Sequence, residues 1–353
     1  MLTVGPLVKG IFMKFDVVVG NPPYQETKGN TKNIDIWPLF VKLAVSVGRD
    51  VSLIHPGRWV VPKKNMQRIR DDLMSYGLTS FVYFDKSVDI FANTSIDGGV
   101  TITNFSDTRD IDTPILYYVG RTSDSHIYNR DAVFITNQME QEILDKLYSK
   151  FGLNYPSMLP YVRGNIGSLG SSEFGYSKQS MIDYLVDDAD SIDDPIKIWA
   201  NNRYGKGSRF GWHYIAKSYL NLDNYAFISK SSKVMIDKKG HSIITGKGNV
   251  INNLPVIVDA ETTASGDVLF ILPCNDCKYD LELIQSMFMT KTIRFIMTIL
   301  QKDLYVRGFE YVPDYKLFVD YLNGSLLTDS WLYQFLGLSN DLISHIEAVV
   351  SPK

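Results

Sequence analysis

Phe15-Asp16-Val17-Val18-Val19-Gly20-Asn21-Pro22-Pro23-Tyr24 is an apolar run that ends abruptly in a glycine and two prolines. The β-branched stretch from Val17 to Val19 reads as a strand buried on both faces. Neither proline has an N–H to donate, and each pushes the residue before it out of the helical region. Asn21 and Pro22 therefore stay extended beyond the strand with carbonyl oxygens turned outward, and the ring of Tyr24 follows. Two acceptors beside an aromatic face suit an exocyclic amine on a flat heterocycle. Both amine hydrogens are held and the nitrogen lone pair is left free. The pattern points to chemistry on a nucleobase.

Outward from this stretch, residues 25–33 are rich in Lys, Thr, Asn and Gly and read as a polar, mobile loop on the substrate side. The spacing predicts a helix over 36–47 with Leu39, Phe40, Leu43, Ala44 and Val47 inward, ended by Gly48. A second buried strand spans 50–55 and is halted by Pro56-Gly57. A helix over 64–76, capped by Gly77, precedes strands at 78–84, 99–105 and 114–119. Strands alternating with helices imply an α/β layer, its sheet largely parallel with an antiparallel edge. In such sheets ligands bind at the carboxyl ends of the strands, where Asn21 to Tyr24 falls. Beyond a helix at 139–151 the rhythm changes to short strands, glycine turns and aromatics, and 281–300 reads as one long core helix. Two domains follow, 1–135 and 136–353.

The chain has 353 residues, of which 45% are hydrophobic and 21% charged, as in ordinary globular proteins. No run of about 18 apolar residues offers a membrane span. Residues 1–12 do not read as a signal peptide, so a cytoplasmic protein is expected. Cys274 and Cys277 form a lone C-x-x-C without a second pair or a nearby His pair, a poor zinc site, and no metal is expected.

The net charge of −3 is unevenly spread. Six acids and no base lie between Met181 and Asp194, whereas ten bases and two acids lie between Ile196 and Val250. A basic segment interleaved with aromatics is the footprint of a phosphate-binding face. The candidate DNA contacts are Arg203, Lys206, Arg209, Trp212, Lys230 and Lys233.

Asn21-Pro22-Pro23-Tyr24 behind a hydrophobic strand resembles the catalytic motif of amino-group DNA methyltransferases, among them the Eco57I-like restriction-modification methylases. Ile54-His55-Pro56-Gly57-Arg58-Trp59 is similar to that family's strand ending in proline. Asp89-Ile90-Phe91 with Ser95-Ile96-Asp97-Gly98-Gly99-Val100 is similar to its later motif. Thr290 to Phe295, Val312-Pro313-Asp314 and Thr328 to Ser339 resemble the closing part of its target-recognition regions. The resemblance implies a partial Rossmann-like methyltransferase sheet followed by a mixed α+β target-recognition domain. It implies transfer of a methyl group from S-adenosylmethionine to adenine N6 of double-stranded DNA, after the base has left the duplex. Asn21, Pro22, Pro23 and Tyr24 would then be catalytic, Phe91 would pack on the flipped adenine opposite Tyr24, and Asp16 and Asn21 would touch the cofactor. Phe91 is equally well read as a buried hairpin residue, and cytosine N4 is the close chemical alternative to adenine.

Relatives of this type carry, ahead of the motif, a glycine-rich F-x-G-x-G turn and an acidic residue for the cofactor ribose. Neither is found in the twenty residues before Asn21. The expectation is therefore a catalytic-loop and target-recognition portion that joins a second polypeptide supplying the glycine-rich half, or self-associates, through the edge of its first strand. A different class fits the same residues: a catalytically inactive DNA-binding specificity or decoy subunit that needs a partner.

Overall fold

The first strand lies at the edge of its sheet and is not the doubly buried strand its valines suggest. The computed structural model describes residues 14–28, 32–61, 66–92, 96, 98–129, 134–163, 184–201, 210–219, 231–237, 255–264, 268–273, 277–300, 309 and 312–350. Two units, Met1–Thr136 and Asn137–Lys353, account for the chain. In the first, β1 (Phe15–Gly20) leads to a hairpin of β2 (Gln25–Lys28) and β3 (Lys32–Asp35), then α1 (Trp37–Val47) and β4 (Gly48–Pro56). After these come α2 (Gln67–Ser75), β5 (Leu78–Phe84), β6 (Val100–Ser106), β7 (Leu116–Val119) and β8 (Ser125–Ile127).

The main sheet has the order β1-β4-β6-β5-β7-β8. β1 pairs with β4 in parallel, as β5 does with β7, while β6 runs antiparallel to both β4 and β5. The sheet is thus mixed, with an antiparallel strand in its interior and not only at its edge. β1, β4, β5 and β7 all point one way, so their carboxyl ends share one side. Within the segment 25–33, expected to be a loop, β2 instead pairs antiparallel with β3, from Gln25 opposite Asp35 to Lys28 opposite Lys32.

One face of this sheet carries the core. Trp37, Val41 and Ala44 of α1 and Leu73 of α2 pack with Val51, Leu53, Phe81 and Phe105. The inner side of α1 is therefore Trp37, Val41 and Ala44, whereas Leu39, Phe40, Leu43 and Val47 are exposed. Of the valines in β1 only Val18 reaches the core, beside Val51 in register. Phe15, Val17 and Val19 stand 67%, 62% and 73% exposed.

The second unit is mixed α+β. Its strands are β9 (Val162–Arg163), β10 (Pro195–Asn201), β11 (Phe210–Ala216), β12 (Lys233–Asp237), β13 (Val256–Val258), β14 (Thr263–Ala264) and β15 (Val268–Ile271). They form two small sheets, β11-β10-β14 and β13-β12-β15-β9. The helices are α3 (Gln138–Phe151), α4 (Lys278–Met289), α5 (Lys291–Leu300), α6 (Lys316–Leu322), α7 (Asp329–Leu336) and α8 (Asn340–Val349). The expected single helix over 281–300 is broken at Thr290, whose ψ of 141° is extended. The Asp329 carboxylate accepts the backbone N–H groups of Lys291 (3.0 Å) and Thr292 (2.9 Å), capping the amino end of α5. Met287, Ile293, Ile296 and Met297 are core as expected, but Met289 is exposed. Cys277 caps α4, its Sγ accepting from the Asp280 N–H at 3.3 Å, and Cys274 lies outside the described residues.

Candidate active site

Asn21 to Tyr24 leave the carboxyl end of β1 and are held there by the start of α1. The carbonyl oxygen of Tyr24 accepts the N–H groups of Ile36 (3.0 Å) and Trp37 (3.4 Å). The Tyr24 ring is half-buried against the core cluster, and its hydroxyl is enclosed without a hydrogen-bond partner among the described residues. Burial raises the pKa of that hydroxyl above the usual phenol value, so it stays protonated. Asn21 and Pro23 are exposed and Pro22 is half-buried. The side chain of Asn21 has no hydrogen-bond partner among the described residues, so its amide oxygen is free to accept.

The neighbouring strand ends beside this loop. After Pro56 the chain turns through a single 3-10 turn, Gly57–Val60, which carries Arg58. A guanidinium N–H of Arg58 donates to Asp35 Oδ2, and the other oxygen of that carboxylate accepts from Gln25 Nε2 at 3.1 Å. A Cβ on Gly57 would stand 2.9 Å from the Gly98 carbonyl oxygen, and one on Gly99 (φ +71°) would stand 2.3 Å from that of Phe84. These glycines let the ends of β4, β5 and β6 close tightly at the side of the sheet where the loop lies.

Beneath the loop the floor is aromatic and rigid. His55 stacks on Trp37 with ring centroids 4.1 Å apart and donates to or accepts from Thr103 Oγ1 at 2.8 Å, while Trp59 Nε1 donates to Thr101 Oγ1 at 3.0 Å. Full burial pushes the His55 pKa down to about 3, so the ring is neutral. The resemblance drew attention to the stretch holding His55 and Arg58, but nothing in the sequence gave these two or Asp35 a role in this arrangement. Their partners lie too far along the chain for periodicity to connect them.

Asp16 is not brought to the loop. It precedes Gly20 by four residues, about 13 Å of strand, and its exposed carboxylate lies 3.9 Å from Arg49. Phe91 is half-buried just after β5, on the same side of the sheet as Asn21, with β6 and β4 between the two strands. A cavity of about 300 Å³ opens beside Asn21 and Pro22, between β1 and α1. Apart from Asn21 its walls are apolar or backbone: Val18, Gly20, Pro22, Phe40, Leu43, Ala44, Val47 and Leu53.

In the second unit, β10 and β11 form an antiparallel hairpin ending at Asn201 opposite Phe210. The connecting residues 202–209 include Arg203, Lys206 and Arg209; these three and Lys230 lie outside the described residues. Trp212 is half-buried, edge-on to Trp199 at 5.1 Å, with Lys197 Nζ 4.7 Å above its ring. The acidic stretch does not stand apart from this hairpin. Val186 pairs with Tyr214, and Asp187 Oδ1 lies 2.8 Å from His213 Nδ1.

Lys233 departs from its expected role. It is fully buried, donates to the Ala260 carbonyl oxygen at 2.9 Å and lies 5.0 Å from the centre of the Phe270 ring. Desolvation lowers its pKa to about 8, and the nearby Asp259 opposes that shift. An ammonium enclosed in this way is not presented to a phosphate.

Residues 6–91 match the model of the Eco57I restriction-modification methylase family. A 95-residue stretch is 32% identical to a protein of Mycoplasma pneumoniae described as an uncharacterized adenine-specific methylase, covering 25% of this chain and 22% of that relative. Among solved structures, the type IIL restriction-modification enzyme MmeI in complex with DNA aligns at 12% identity and a TM-score of 0.47, over 96% of this chain and 55% of that one. The type IIG restriction endonuclease BpuSI aligns at 11% identity and a TM-score of 0.34, over 96% of this chain and 49% of that one. The chain spans about half the length of these two enzymes. No helix among the described residues is long and apolar enough to cross a membrane.

Proposed function

We propose that this chain is the catalytic-loop and target-recognition portion of an S-adenosylmethionine-dependent DNA adenine-N6 methyltransferase of the restriction-modification type. The observation that carries the reading is the loop itself. Asn21 is exposed and unpaired among the described residues at the carboxyl end of β1, and Tyr24 is anchored to α1 through its own carbonyl. With an adenine extruded from the duplex, the Asn21 amide oxygen and the Pro22 carbonyl accept the two amine hydrogens, and the Tyr24 ring supports the base. Unstacking costs a few kcal/mol, which these contacts offset. Holding both hydrogens fixes the lone pair in direction, and positioning of that kind lowers a barrier without a strong general base.

S-adenosylmethionine would supply an electrophilic methyl group at this position. The described residues do not complete a site for it. Asp16 is remote from the loop, and the cavity beside Asn21, walled by β1, α1 and Leu53 of β4, offers no polar side chain besides Asn21. The polar contacts that the cofactor needs are assigned to a glycine-rich strand-and-helix unit of a second polypeptide, or to a second copy of the chain, pairing with β1. Phe15, Val17 and Val19 on one face, with Leu39, Phe40, Leu43 and Val47 of α1, offer apolar surface for such docking. DNA contact is assigned to the β10–β11 hairpin with Arg203, Lys206, Arg209 and Trp212, Lys230 being a further candidate, and the protein would act in the cytoplasm on double-stranded DNA.

The test is transfer of labelled methyl from S-adenosylmethionine to DNA lacking adenine methylation. The full chain would be assayed alone and together with the polypeptide encoded beside it, with nucleoside analysis of the product. N6-methyladenine in either assay supports the reading. DNA binding without methylation in both would favour the second reading, a specificity or decoy subunit, which the largely apolar lining of the cavity also suits.

A further inference from the structure

The loop Asn21 to Tyr24 must owe its orientation to something, because Asn21 makes no hydrogen bond of its own among the described residues. Its anchor is Tyr24, and the residues on either side of the β2–β3 hairpin grip that anchor. Gln25, directly after Tyr24, stands opposite Asp35, and its side chain donates to Asp35 Oδ1 at 3.1 Å. Ile36, directly after Asp35, donates its N–H to the Tyr24 carbonyl at 3.0 Å. Asp35 therefore sits between both grips. Its remaining oxygen, Oδ2, is taken by Arg58 from the turn that follows β4. Since β4 is the one strand paired with β1 among the described residues, this ion pair ties the hairpin to the strand beside the loop.

We propose that Asp35 and Arg58 form the strut that sets the height and direction of Asn21 to Tyr24 above the sheet, with Arg58 acting as a positioning residue for base binding. This rests on the reading of that loop as the base-binding element. The pair is 21% and 28% exposed, so it is partly removed from water, and a bridge of this kind holds its geometry better than an exposed one. The contact is one guanidinium N–H on one carboxylate oxygen, and the rigid plane of the guanidinium limits the directions from which it is made more than a lysine ammonium would. Misplacement of a binding group by about 1 Å costs on the order of 100-fold in rate.

The experiment compares the full-length chain with Arg58→Gln, Arg58→Lys and Asp35→Asn. The first measurement is amide hydrogen exchange, which requires no catalytic competence. In Arg58→Gln and Asp35→Asn, exchange at Ile36 and Trp37 is expected to quicken by about tenfold or more while the amides of β4 and β6 keep their protection. Arg58→Lys should fall between these and the wild type. In the assembly that methylates, the same variants should lose about 10- to 100-fold in kcat with KM for DNA changed by less than about twofold. Unchanged exchange at Ile36 and Trp37 in both variants would overturn the strut. So would a parallel loss of protection throughout β4 and β6, or a rise in KM at constant kcat. A wild-type assembly that transfers no methyl would remove the proposed function, while the exchange measurement would still decide whether the strut exists.

Discussion

His55 lies flat against Trp37, the ring planes 9° apart, and so joins β4 to the start of α1 directly below the Tyr24 carbonyl. Enclosure keeps the imidazole of this stack neutral. The ring is fully enclosed, and its pKa falls from 6.5 to about 3, with burial as the largest cause. Between those values the unfolded chain binds a proton that the folded chain refuses. The contribution of His55 to stability is therefore complete above about pH 6.5 and is lost as pH falls towards 3, at up to about 1.4 kcal/mol per pH unit. Replacing His55 with Phe retains a ring against Trp37 and removes the titration. Denaturant unfolding at several pH values should show a flatter acid limb for the variant, and identical limbs would mean that His55 is not protected from protonation.

Asn21→Ala should leave stability nearly unchanged, because the side chain is exposed and has no partner among the described residues. Under the proposed function it should abolish most methyl transfer in the competent assembly, by a factor on the order of 10²–10³, as when one preorganised hydrogen-bonding group is removed elsewhere. DNA affinity should persist. Wild-type transfer rates in the variant would deny Asn21 any part in holding the amine.

The hairpin and the buried lysine separate two kinds of basic residue. Neutralising Arg203, Lys206 and Arg209 should weaken DNA binding and lower the slope of log affinity against log salt by about 0.9 for each true phosphate contact. Lys233→Met should leave that slope alone. It also removes an ammonium whose burial is costly, so stability below about pH 8 should hold or rise. Salt titrations of both variants decide between the two expectations, and a reduced slope in Lys233→Met would return that residue to the DNA-contacting set.

Much of the framework could be read from local pattern. The strand Leu78–Phe84 and helices α1 to α3 fall within a few residues of where apolar spacing, Gly48 and Gly77 put them. What pattern could not supply was which side of an element faces inward. The apolar residues of α1 are spread over two sides, Trp37, Val41 and Ala44 against Leu39, Phe40, Leu43 and Val47. Spacing alone favoured the second set together with Ala44, and packing kept Ala44 and chose Trp37 and Val41 in place of the others. The hairpin at 25–35 escaped notice because its polar residues carry no alternation; cross-strand pairing and Asp35 hold it instead. The break at Thr290 is imposed by Asp329, a residue 39 positions along the chain. Of the site, the motif at Asn21 to Tyr24 was legible because proline acts locally. Asp35, Arg58 and His55 were not, since each acquires its role from a distant partner.

The valines of β1 read as doubly buried, and in this chain they are not; the difference leads to the final expectation. Among the described residues β1 has one hydrogen-bonded neighbour, and Phe15, Val17 and Val19 present an apolar row on the face of the strand opposite Val18. Burying each on docking would contribute on the order of 1.5–3 kcal/mol, enough in sum to drive association. The apolar cavity beside Asn21 would gain polar contacts in the same event. The isolated chain should accordingly bind S-adenosylmethionine weakly or not at all, and should show a mass in solution above that of one chain, or pair with a polypeptide bearing the glycine-rich unit. Val17→Lys places a charge in the middle of this apolar row and should abolish the association without unfolding the unit, since Val17 lies outside the core. Calorimetric titration with S-adenosylmethionine and a mass measurement over a range of concentrations test both parts. Tight binding by a monomer would place a complete cofactor site within this chain and leave the exposed edge without the role assigned to it.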